Sequence, residues 1–415
     1  MDFKHLILLV GTNPLPSYIV ADYYLHKNPY IEEIWLVHSE KTNFQDGTYV
    51  YAENLKKAIE KNLIIGRSSP VSFSFVPLSN VSNAKEISRD IYKLLIQNLS
   101  EDSSVHLNYT GGTKVMGTHI YLTLEKALKI LKKSYSYLDA RTFSIIDDAE
   151  GCITSDLRDS VKLAFKDLIY MHEFERKNID SSNDFGLVTE KFRKIIGAGC
   201  LQEYFNAGAG YDRTLFENMH KKGELAEKVK QINRVKIEAY KPNQVFKGIL
   251  DSFPPGCNLI NDICTINDSN FKRAVRFLDG EWFERFIYCL LKEKLNMPNA
   301  EILFDWKIKK KNWKTDFQLD VILVKGYQLI GISCTTSRSK PICKSKGFEI
   351  IQRSRQIGGD EARAILFTLL DTYNKTELQN ELMEDTGGAM SNILVFGFND
   401  INDEYIIDKI KDFIK

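Results

Sequence analysis

The chain has 415 residues, of which 43% are hydrophobic and 27% charged, a composition typical of soluble globular proteins that excludes wholesale disorder. Lysine and arginine total 56 against 55 aspartates and glutamates, so the net charge of +1 excludes a globally basic protein, and any nucleic-acid surface must be local. No apolar run reaches the roughly 18 residues of a membrane span. The length predicts two or three domains. The seven cysteines form no CxxC pair, which disfavours a zinc ribbon and suits a reducing cytoplasm.

The first 150 residues alternate short apolar runs with stretches of helical spacing, a pattern typical of a parallel doubly wound sheet. The predicted strands are 6–10, 34–37, 71–76 and 105–109, and the predicted helices are 48–61, 84–98 and 115–129. In such sheets ligands bind beyond the carboxyl ends of the strands. This rule selects the loops at 11–17, 38–42 and 109–114.

The remaining chain divides into two predicted units. Residues 151–270 are richer in charge, have helical patterns at 156–176 and 187–205, and are predicted to be a mostly helical connector. Residues 271–415 are predicted to be a mixed α/β domain with a central hairpin. Its predicted elements are helices at 281–296 and 344–357 and strands at 301–309, 316–324, 327–334, 363–369 and 392–397.

A Gly-Gly loop follows the fourth predicted strand, in the run from Asn108 to Lys114. Gly111 and Gly112 let the backbone approach a ligand closely, and the helix that follows offers unpaired N–H groups to an anion. Thr110, Thr113 and Lys114 add two hydroxyls and a cation. The spacing is not that of a Walker A loop. The loop is either a structural turn or an anion site, and its position at a strand end favours an anion or nucleotide ligand.

This TGGTK loop resembles the CARF domain of type III CRISPR ancillary effectors, and the resemblance covers about residues 1–150. It implies a Rossmann-like domain that dimerises and binds cyclic oligoadenylate across the two-fold axis. Tetra-adenylate is the commoner ring among these effectors. The positions that the resemblance assigns to ligand contact are Thr12, Asn13, Ser39, Thr110, Gly111, Gly112, Thr113 and Lys114.

The third unit carries carboxylates in a suggestive order. Glu284 lies on a predicted helix, and Asp320 is the only carboxylate of the apolar run 317–324, where an ionised group needs a metal or a basic partner. The run 329–336 forms the next strand. This order resembles the PD-(D/E)xK nucleases, which implies a restriction-endonuclease-like domain that cuts DNA or RNA with Mg²⁺ or Mn²⁺. The resemblance gives Glu284 and Asp320 the roles of catalytic and metal-binding residues.

The third strand departs from that family, because Ser333-Cys334-Thr335 stands where the family has Glu-x-Lys. Two interpretations remain open. In one, the glutamate has migrated to the following helix, where Glu349 would complete the metal site and Lys346 or Lys344 would replace the lysine. In the other, the fold has lost catalysis.

Local charge near these carboxylates is basic, which favours a groove for a phosphate backbone. Trp306 and Trp313 are interleaved with the cations and could stack on unpaired bases or belong to the core. The cations are Lys307, Lys309, Lys310, Lys311, Lys314, Arg338, Lys340, Lys344, Lys346, Arg353 and Arg355.

The sequence therefore predicts a cytoplasmic, homodimeric nuclease of type III CRISPR antiviral defence, activated by cyclic oligoadenylate and dependent on Mg²⁺ or Mn²⁺. The alternative is a catalytically degenerate sensor that binds nucleic acid or a partner without cleaving. A phosphodiesterase that degrades its own ligand is less supported, because the Gly-Gly loop lacks an obvious base. His106, in an apolar strand, is predicted to be a core or ligand-facing residue rather than a base.

Overall fold

The structure is a computed structural model of the chain. It describes residues 2–43, 46–65, 67, 69–128, 130, 132–177, 185–206, 244–258, 266–311, 313–387 and 392–415. Two β-sheets organise these residues, the first within residues 5–152 and the second within residues 174–396. Within the described ranges, no helix combines the length and the apolar character needed to cross a membrane.

The first sheet has the strand order β3-β2-β1-β4-β5-β6-β7. Its strands are β1 (His5–Val10), β2 (Glu33–Ser39), β3 (Ser72–Leu78), β4 (Ser104–Asn108), β5 (Lys132–Asp139), β6 (Ser144–Asp147) and β7 (Gly151–Cys152). The first five pair in parallel, and β6 and β7 add antiparallel. The strand order reverses between β1 and β4, so a ligand crevice is expected beyond their carboxyl ends.

Helices cover both faces of this sheet. They are α1 (Leu15–Lys27), α2 (Tyr49–Ile59), which continues into a π turn at Glu60–Ile64, α3 (Ala84–Leu94) and α4 (Lys114–Lys126). Apolar residues of α1 and α2 pack on one face, and those of α3 and α4 pack on the other. Burial on both faces explains why β1 and β2 are continuous apolar runs. The predicted doubly wound arrangement is confirmed.

The connecting region is less helical than the pattern at 156–176 predicted. Its helices are α5 (Phe165–Met171), α6 (Gly186–Gly197), α7 (Leu201–Asn206) and α8 (Gln244–Leu250). After α5 the chain turns at Glu173, whose φ is 64°, and forms β8 (Phe174–Arg176), which pairs with the second sheet. Part of the predicted connector lies outside the described residues, at 178–184, 207–243 and 259–265.

The second sheet has the order β13-β12-β11-β10-β9-β8. Its other strands are β9 (Ala300–Lys310), β10 (Asp316–Lys325), β11 (Gln328–Cys334), β12 (Arg363–Phe367) and β13 (Ile393–Phe396), and its helices are α9 (Asp268–Arg276), α10 (Trp282–Lys294), α11 (Lys340–Gly358), α12 (Thr372–Asp385) and α13 (Asp403–Ile414). Helices α10 and α13 pack on one face, and α11 and α12 on the other. The mixed α/β domain with a central β9–β10–β11 meander matches the prediction.

The two halves are joined by a fully buried arginine, Arg158. Its guanidinium pairs with Asp156 at 2.6 Å and lies 3.7 Å from the centre of the Phe143 ring in the first half. It also donates to the side-chain oxygen of Gln328 at 2.7 Å and to the carbonyl oxygen of Ile414 at 2.9 Å. A buried charge with this many partners holds both domains in one relative position, because breaking any contact leaves the guanidinium uncompensated.

Candidate functional site

Polar side chains of the first sheet hold the Gly-Gly loop in place through hydrogen bonds. Asn108 is buried at the end of β4, and its amide donates to the hydroxyl of Ser136 at 2.9 Å. Its side-chain oxygen accepts from the hydroxyl of Thr110 at 2.8 Å, and that hydroxyl also accepts from the N–H of Leu138 at 2.6 Å. The side chain of Thr110 is therefore committed to the neighbouring strand β5.

Gly111 and Gly112 are required by the geometry of this loop. A Cβ on Gly111 would collide with the carbonyl oxygen of Leu9, at the end of β1, and Gly112 has a φ of 71°. Thr113 caps α4, because its hydroxyl accepts from the N–H of Met116 at 3.2 Å. Gly112, Thr113 and Lys114 are exposed. They form the part of the loop that a ligand could reach.

The other two predicted contact loops are less open than the sequence suggested. Ser39 is buried and its hydroxyl lies 3.2 Å from that of Thr48. Thr12 is exposed, but the side-chain oxygen of Asn13 accepts from the N–H of Leu15 and lies 3.0 Å from Nε2 of His172. Ser39 and Asn13 thus make intramolecular contacts in this arrangement, and of the three predicted contact residues in these loops Thr12 is the exposed one.

His106 lies inside the sheet with both ring nitrogens 2.7 Å from serine hydroxyls, those of Ser134 and Ser136. Burial lowers the pKa of His106 to about 3, so the ring stays neutral. Of the two roles considered for it, this geometry fits the core residue.

The predicted catalytic residues lie together in a cleft of the second domain. The cleft has a volume of about 310 Å³ and is lined by Arg276, Glu284, Gln318, Leu319, Asp320, Ser333, Lys346, Glu349, Ile350 and Arg353. Helix α10, strands β10 and β11, and helix α11 each contribute side chains. Arg276, at the end of α9, is a cleft residue that sequence reasoning missed, because α9 carries no motif of its own.

Glu284 and Asp320 form a buried carboxylate pair. Phe283 and Phe286 anchor α10 in the core and so direct Glu284 at the sheet. Oε2 of Glu284 is buried and has no hydrogen-bond partner among the described residues. Burial, and next the charge of Asp320, raise the pKa of Glu284 well above its usual value. Two carboxylates that disfavour each other's charge in this way need a cation or a shared proton.

Asp320 is held by the strand that departs from the family pattern. Its Oδ2 accepts from the hydroxyl of Ser333 and from the N–H of Cys334, each at 2.9 Å. Burial raises the pKa of Asp320, while these two hydrogen bonds and the charge of Lys346 act in the opposite direction. Ser333 therefore supports the ionised form of Asp320.

Near Asp320, strands β9 and β10 switch the face of the sheet to which their alternate side chains point. Trp306 pairs with Leu319 and Phe304 with Val321, which places Asp305 opposite Asp320. The first pair packs into one core and the second into the other. Asp305 has a φ of 50°, which accommodates the switch. Its Oδ1 is buried without a hydrogen-bond partner in the described structure, so another acidic group lies beside the cleft.

Helix α11 carries two lysines that could replace the lysine of the Glu-x-Lys pattern, and they face different neighbours. Lys346 lines the cleft, and its Nζ lies 3.5 Å from Oε2 of Glu349. Lys344 instead pairs with Glu381 at 2.8 Å and with Asp385 at 2.9 Å, both on α12. Lys346 is thus the cleft lysine. Because Glu349 faces Lys346, the expected three-carboxylate metal set is not assembled: among the described residues, no three acidic, histidine or cysteine side chains are arranged to hold a metal ion.

The basic hairpin has one buried and one exposed tryptophan. Trp306 is 9% exposed and packs edge-to-face on Phe165, whereas Trp313 is 53% exposed with Nζ of Lys310 5.4 Å from its ring centre. Lys340, like Lys344, pairs with carboxylates of α12. The cations beside the carboxylates are therefore fewer than the sequence suggested.

Two solved structures resemble the chain over its whole length. Can2 from Sulfobacillus thermosulfidooxidans, in complex with cyclic tetra-adenylate, has a TM-score of 0.59 at 16% identity and covers 100% of both chains. Protein VC1899 from Vibrio cholerae has a TM-score of 0.64 at 15% identity and covers 99% of this chain and 98% of its own. No protein-family model and no curated protein matches the sequence. At these identities the likeness shows the fold, which is the α/β class predicted with a Rossmann-like N-terminal domain.

Proposed function

We propose that the protein is a metal-dependent nuclease of type III CRISPR defence whose activity is switched on by a cyclic oligoadenylate. The observation that carries the nuclease assignment is the buried pair of Glu284 and Asp320 in a cleft that also holds cations. Arg276, Lys346 and Arg353 line the same cleft. Carboxylates that bind a cation, next to cations that bind phosphate, are what phosphodiester hydrolysis requires.

The sensing half rests on the N-terminal domain. The exposed part of the Gly-Gly loop lies beyond the carboxyl ends of β1 and β4, where doubly wound folds bind ligands. The solved structure of Can2, which has the same fold over the full chain, contains cyclic tetra-adenylate. We infer that this loop contacts the same class of ring, and that two copies of the chain enclose one ring across a two-fold axis.

Two carboxylates of the cleft, Glu284 and Asp320, offer the hard oxygen ligands that a divalent metal takes. The unpartnered, buried Oε2 of Glu284 beside a second carboxylate is a site whose charge lacks compensation. Glu284 and Asp320 would hold Mg²⁺ or Mn²⁺ with hard oxygen ligands, and Glu349 would join them once its side chain leaves Lys346. When bound, the metal lowers the pKa of a water molecule and stabilises charge on the phosphate.

The other cleft residues position the reacting groups. Ser333 and the N–H of Cys334 fix the orientation of Asp320. Lys346 stands where a cation would stabilise charge on the attacked phosphate, and Arg276 and Arg353 would hold the flanking phosphates. The apolar side chains of Leu319 and Ile350 restrict water in the cleft and so strengthen these interactions.

The test is cleavage of labelled DNA and RNA, single- and double-stranded, with Mg²⁺ or Mn²⁺ and with or without cyclic tetra-adenylate. We expect cleavage that needs both the metal and the ring, and that Asp320→Asn abolishes. Asp316→Asn is the matched control, since Asp316 lies on the same strand but pairs with Lys177 outside the cleft. Cleavage that survives chelation, or survives in Asp320→Asn, would refute the assignment.

Glu349→Gln separates the migrated carboxylate from an ordinary helix residue. The substitution keeps the shape of the side chain and removes its charge. We expect weaker metal binding, seen as a higher Mn²⁺ concentration for half-maximal cleavage. Cleavage equal to that of the wild type would leave Glu349 outside the site.

A second candidate function is a sensor that binds nucleic acid without cutting it. It is favoured by one observation, the pairing of Glu349 with Lys346, which leaves two carboxylates rather than three facing the cleft centre. If the ring binds but no nucleic acid is cut with any divalent metal, this candidate replaces the nuclease. Retention of labelled strands on the ring-bound protein would then be the activity to measure.

A further inference from the structure

Asn13 lies where the first ligand loop meets the second domain. The loop joins β1 to α1, and Asn13 lines the cavity between the domains together with its exposed neighbour Thr12. Its side-chain oxygen lies 3.0 Å from Nε2 of His172, which is buried at the end of α5. Burial lowers the pKa of His172 to about 4, so the neutral ring carries one N–H, for which the carbonyl oxygen of Leu168, 2.9 Å from Nδ1, competes with Asn13. Asn13 is therefore held by the connecting region as well as by its own loop.

The other side of Asn13 touches the end of helix α11. The chain leaves α11 at Gly359, whose φ is 71°, and a Cβ on Gly359 would collide with the side-chain amide of Asn13. The same hypothetical Cβ would lie 3.1 Å from Oε2 of Glu361. That oxygen is buried and has no hydrogen-bond partner in the described part of the chain. A side chain at position 359 would therefore collide with Asn13 and crowd Glu361, so glycine is required at this contact.

Helix α11 runs from this contact to the cleft. It has 19 residues and so a length of about 28 Å. Lys346, Glu349 and Arg353 have the spacing i, i+3 and i+7, which places them on one face, and all three line the cleft. Arg353 also lines the cavity between the domains, together with Asn13. A displacement at Gly359 would be carried along the helix to the residues beside the carboxylates.

The loop of Asn13 is also in contact with the Gly-Gly loop. A Cβ on Gly11 would lie 3.4 Å from the backbone nitrogen of Gly112. The hydroxyl of Ser17 donates to the carbonyl oxygen of Leu9 at 3.0 Å, on the same strand end over which Gly111 packs. The two loops therefore move together if either changes shape.

We propose that Asn13 is a positioning residue that couples the Gly-Gly loop to helix α11. Occupation of the loop by a cyclic oligoadenylate shifts the loop of Asn13, and α11 then carries Glu349 toward Glu284 and Asp320. This inference rests on the proposed function. Coupling requires that the ring bind better to the shifted arrangement than to the present one.

The experiment uses the full chain with two variants at the contact. Asn13→Ala removes the coupling side chain, and Gly359→Ala adds a methyl group against it. Gly199→Ala is the matched control: Gly199 also has a φ of 71° and ends a helix, α6, but no described atom lies within 4 Å of its Cβ position. Calorimetry measures binding of cyclic tetra-adenylate, hydrogen exchange of residues 346–359 measures the helix, and cleavage measures output.

In the wild type and in Gly199→Ala, we expect the ring to change the exchange of α11 and to stimulate cleavage. In Gly359→Ala, which lies outside the predicted contact loops, we expect binding to persist. In both variants we expect the exchange response of α11 to disappear and the stimulation to fall by about 5- to 150-fold. An unchanged exchange response in Asn13→Ala would overturn the coupling and leave the proposed function intact. Absence of ring binding by the wild type would refute the proposed function, and the coupling with it.

Discussion

Ser333 and Asp320 are joined by a hydrogen bond of 2.9 Å, in which the serine hydroxyl donates to Oδ2 of the carboxylate. In the nucleases whose motif the sequence resembles, a glutamate stands at the position of Ser333. Under the proposed function, a neutral donor that supports the charge of Asp320 would stand here in place of a charged metal ligand. Hydrogen bonds to the ionised form lower the pKa of a carboxyl group, against the effect of burial.

We therefore expect Ser333→Ala to weaken the metal site without removing it. The pKa of Asp320 rises further when the hydroxyl is lost, so the acidic side of the pH–activity profile moves to higher pH. Mn²⁺ affinity should fall by about 10- to 100-fold, the usual cost of losing a partner of a metal ligand. Electron paramagnetic resonance of free Mn²⁺ measures this directly. Ser339→Ala, at an exposed serine without a capping bond, is the control. Equal affinity in both variants would contradict the role of Ser333.

Lys346 and Lys344 should differ sharply although two positions separate them. Lys346→Ala removes the cation of the cleft and should lower kcat by about 10²- to 10³-fold if that charge stabilises the transition state. Lys344→Ala breaks pairs with Glu381 and Asp385 on the surface, which is expected to change the stability little because exposed ion pairs are screened by solvent. Single-turnover cleavage and thermal unfolding of both variants measure the contrast. The reverse order of effects would mean that Lys344, and not Lys346, replaces the lysine of the Glu-x-Lys pattern.

This pair also shows what the sequence could not decide. The helix–strand–strand order of Glu284, Asp320 and Ser333 is local, so the resemblance could place these residues in one site. The direction of Lys344 depends on the acidic side chains of α12, roughly forty residues later, and no pattern near Lys344 indicates them. Sequence reasoning therefore reached the candidate residues but not which lysine faces the cleft.

Elements without a periodic pattern were missed for physical reasons. Helix α1 is buried on nearly all sides, so it has no polar face to reveal a helical period. Strand β5 carries Ser134 and Ser136, whose hydroxyls face His106, so it is not an apolar run. Strand β8 has three residues and exists only because β9 pairs with it. Such elements depend on tertiary contacts.

Lys114→Ala should weaken binding of cyclic tetra-adenylate. Lys114 is exposed at the first position of α4, beside the Gly-Gly loop, and a charge-assisted contact contributes about 1.5–3 kcal/mol. The expected loss of affinity is roughly 10- to 150-fold. Calorimetry also gives the stoichiometry, which should be one ring for two chains. Lys126→Ala, at the other end of the same helix, should bind as the wild type does. Equal affinity of the two variants would exclude Lys114 from the ring site.

The buried carboxyl group of Glu361 should make the free energy of unfolding depend on pH. Burial raises its pKa from 4.5 to about 7. The folded state therefore holds a proton that the unfolded state releases, so stability is full below about pH 4.5 and falls as pH rises through about 7. The loss is up to about 3 kcal/mol. Glu361→Gln should raise the unfolding temperature at pH 8 and leave it unchanged at pH 5, measured by calorimetry. Glu384→Gln, at an exposed glutamate, is the control and should change the unfolding temperature at neither pH. A higher unfolding temperature for Glu361→Gln at pH 5 alone would contradict the expected direction.

Restoring the family residues tests whether the cleft is an incomplete metal site. The double variant Ser333→Glu, Thr335→Lys places a third carboxylate beside Glu284 and Asp320. Without metal, repulsion among buried carboxylates should lower the unfolding temperature below that of the wild type. Mn²⁺ at one concentration should then stabilise the variant more than the wild type. At 100 times the Kd of the variant, binding adds about 2.7 kcal/mol to the variant's own free energy of unfolding. Thr335→Lys alone should lack this gain. If Mn²⁺ stabilises the double variant no more than the wild type, position 333 does not face the metal. The charge of the buried pair Glu284 and Asp320 must then be neutralised by a proton or by a cation of the protein.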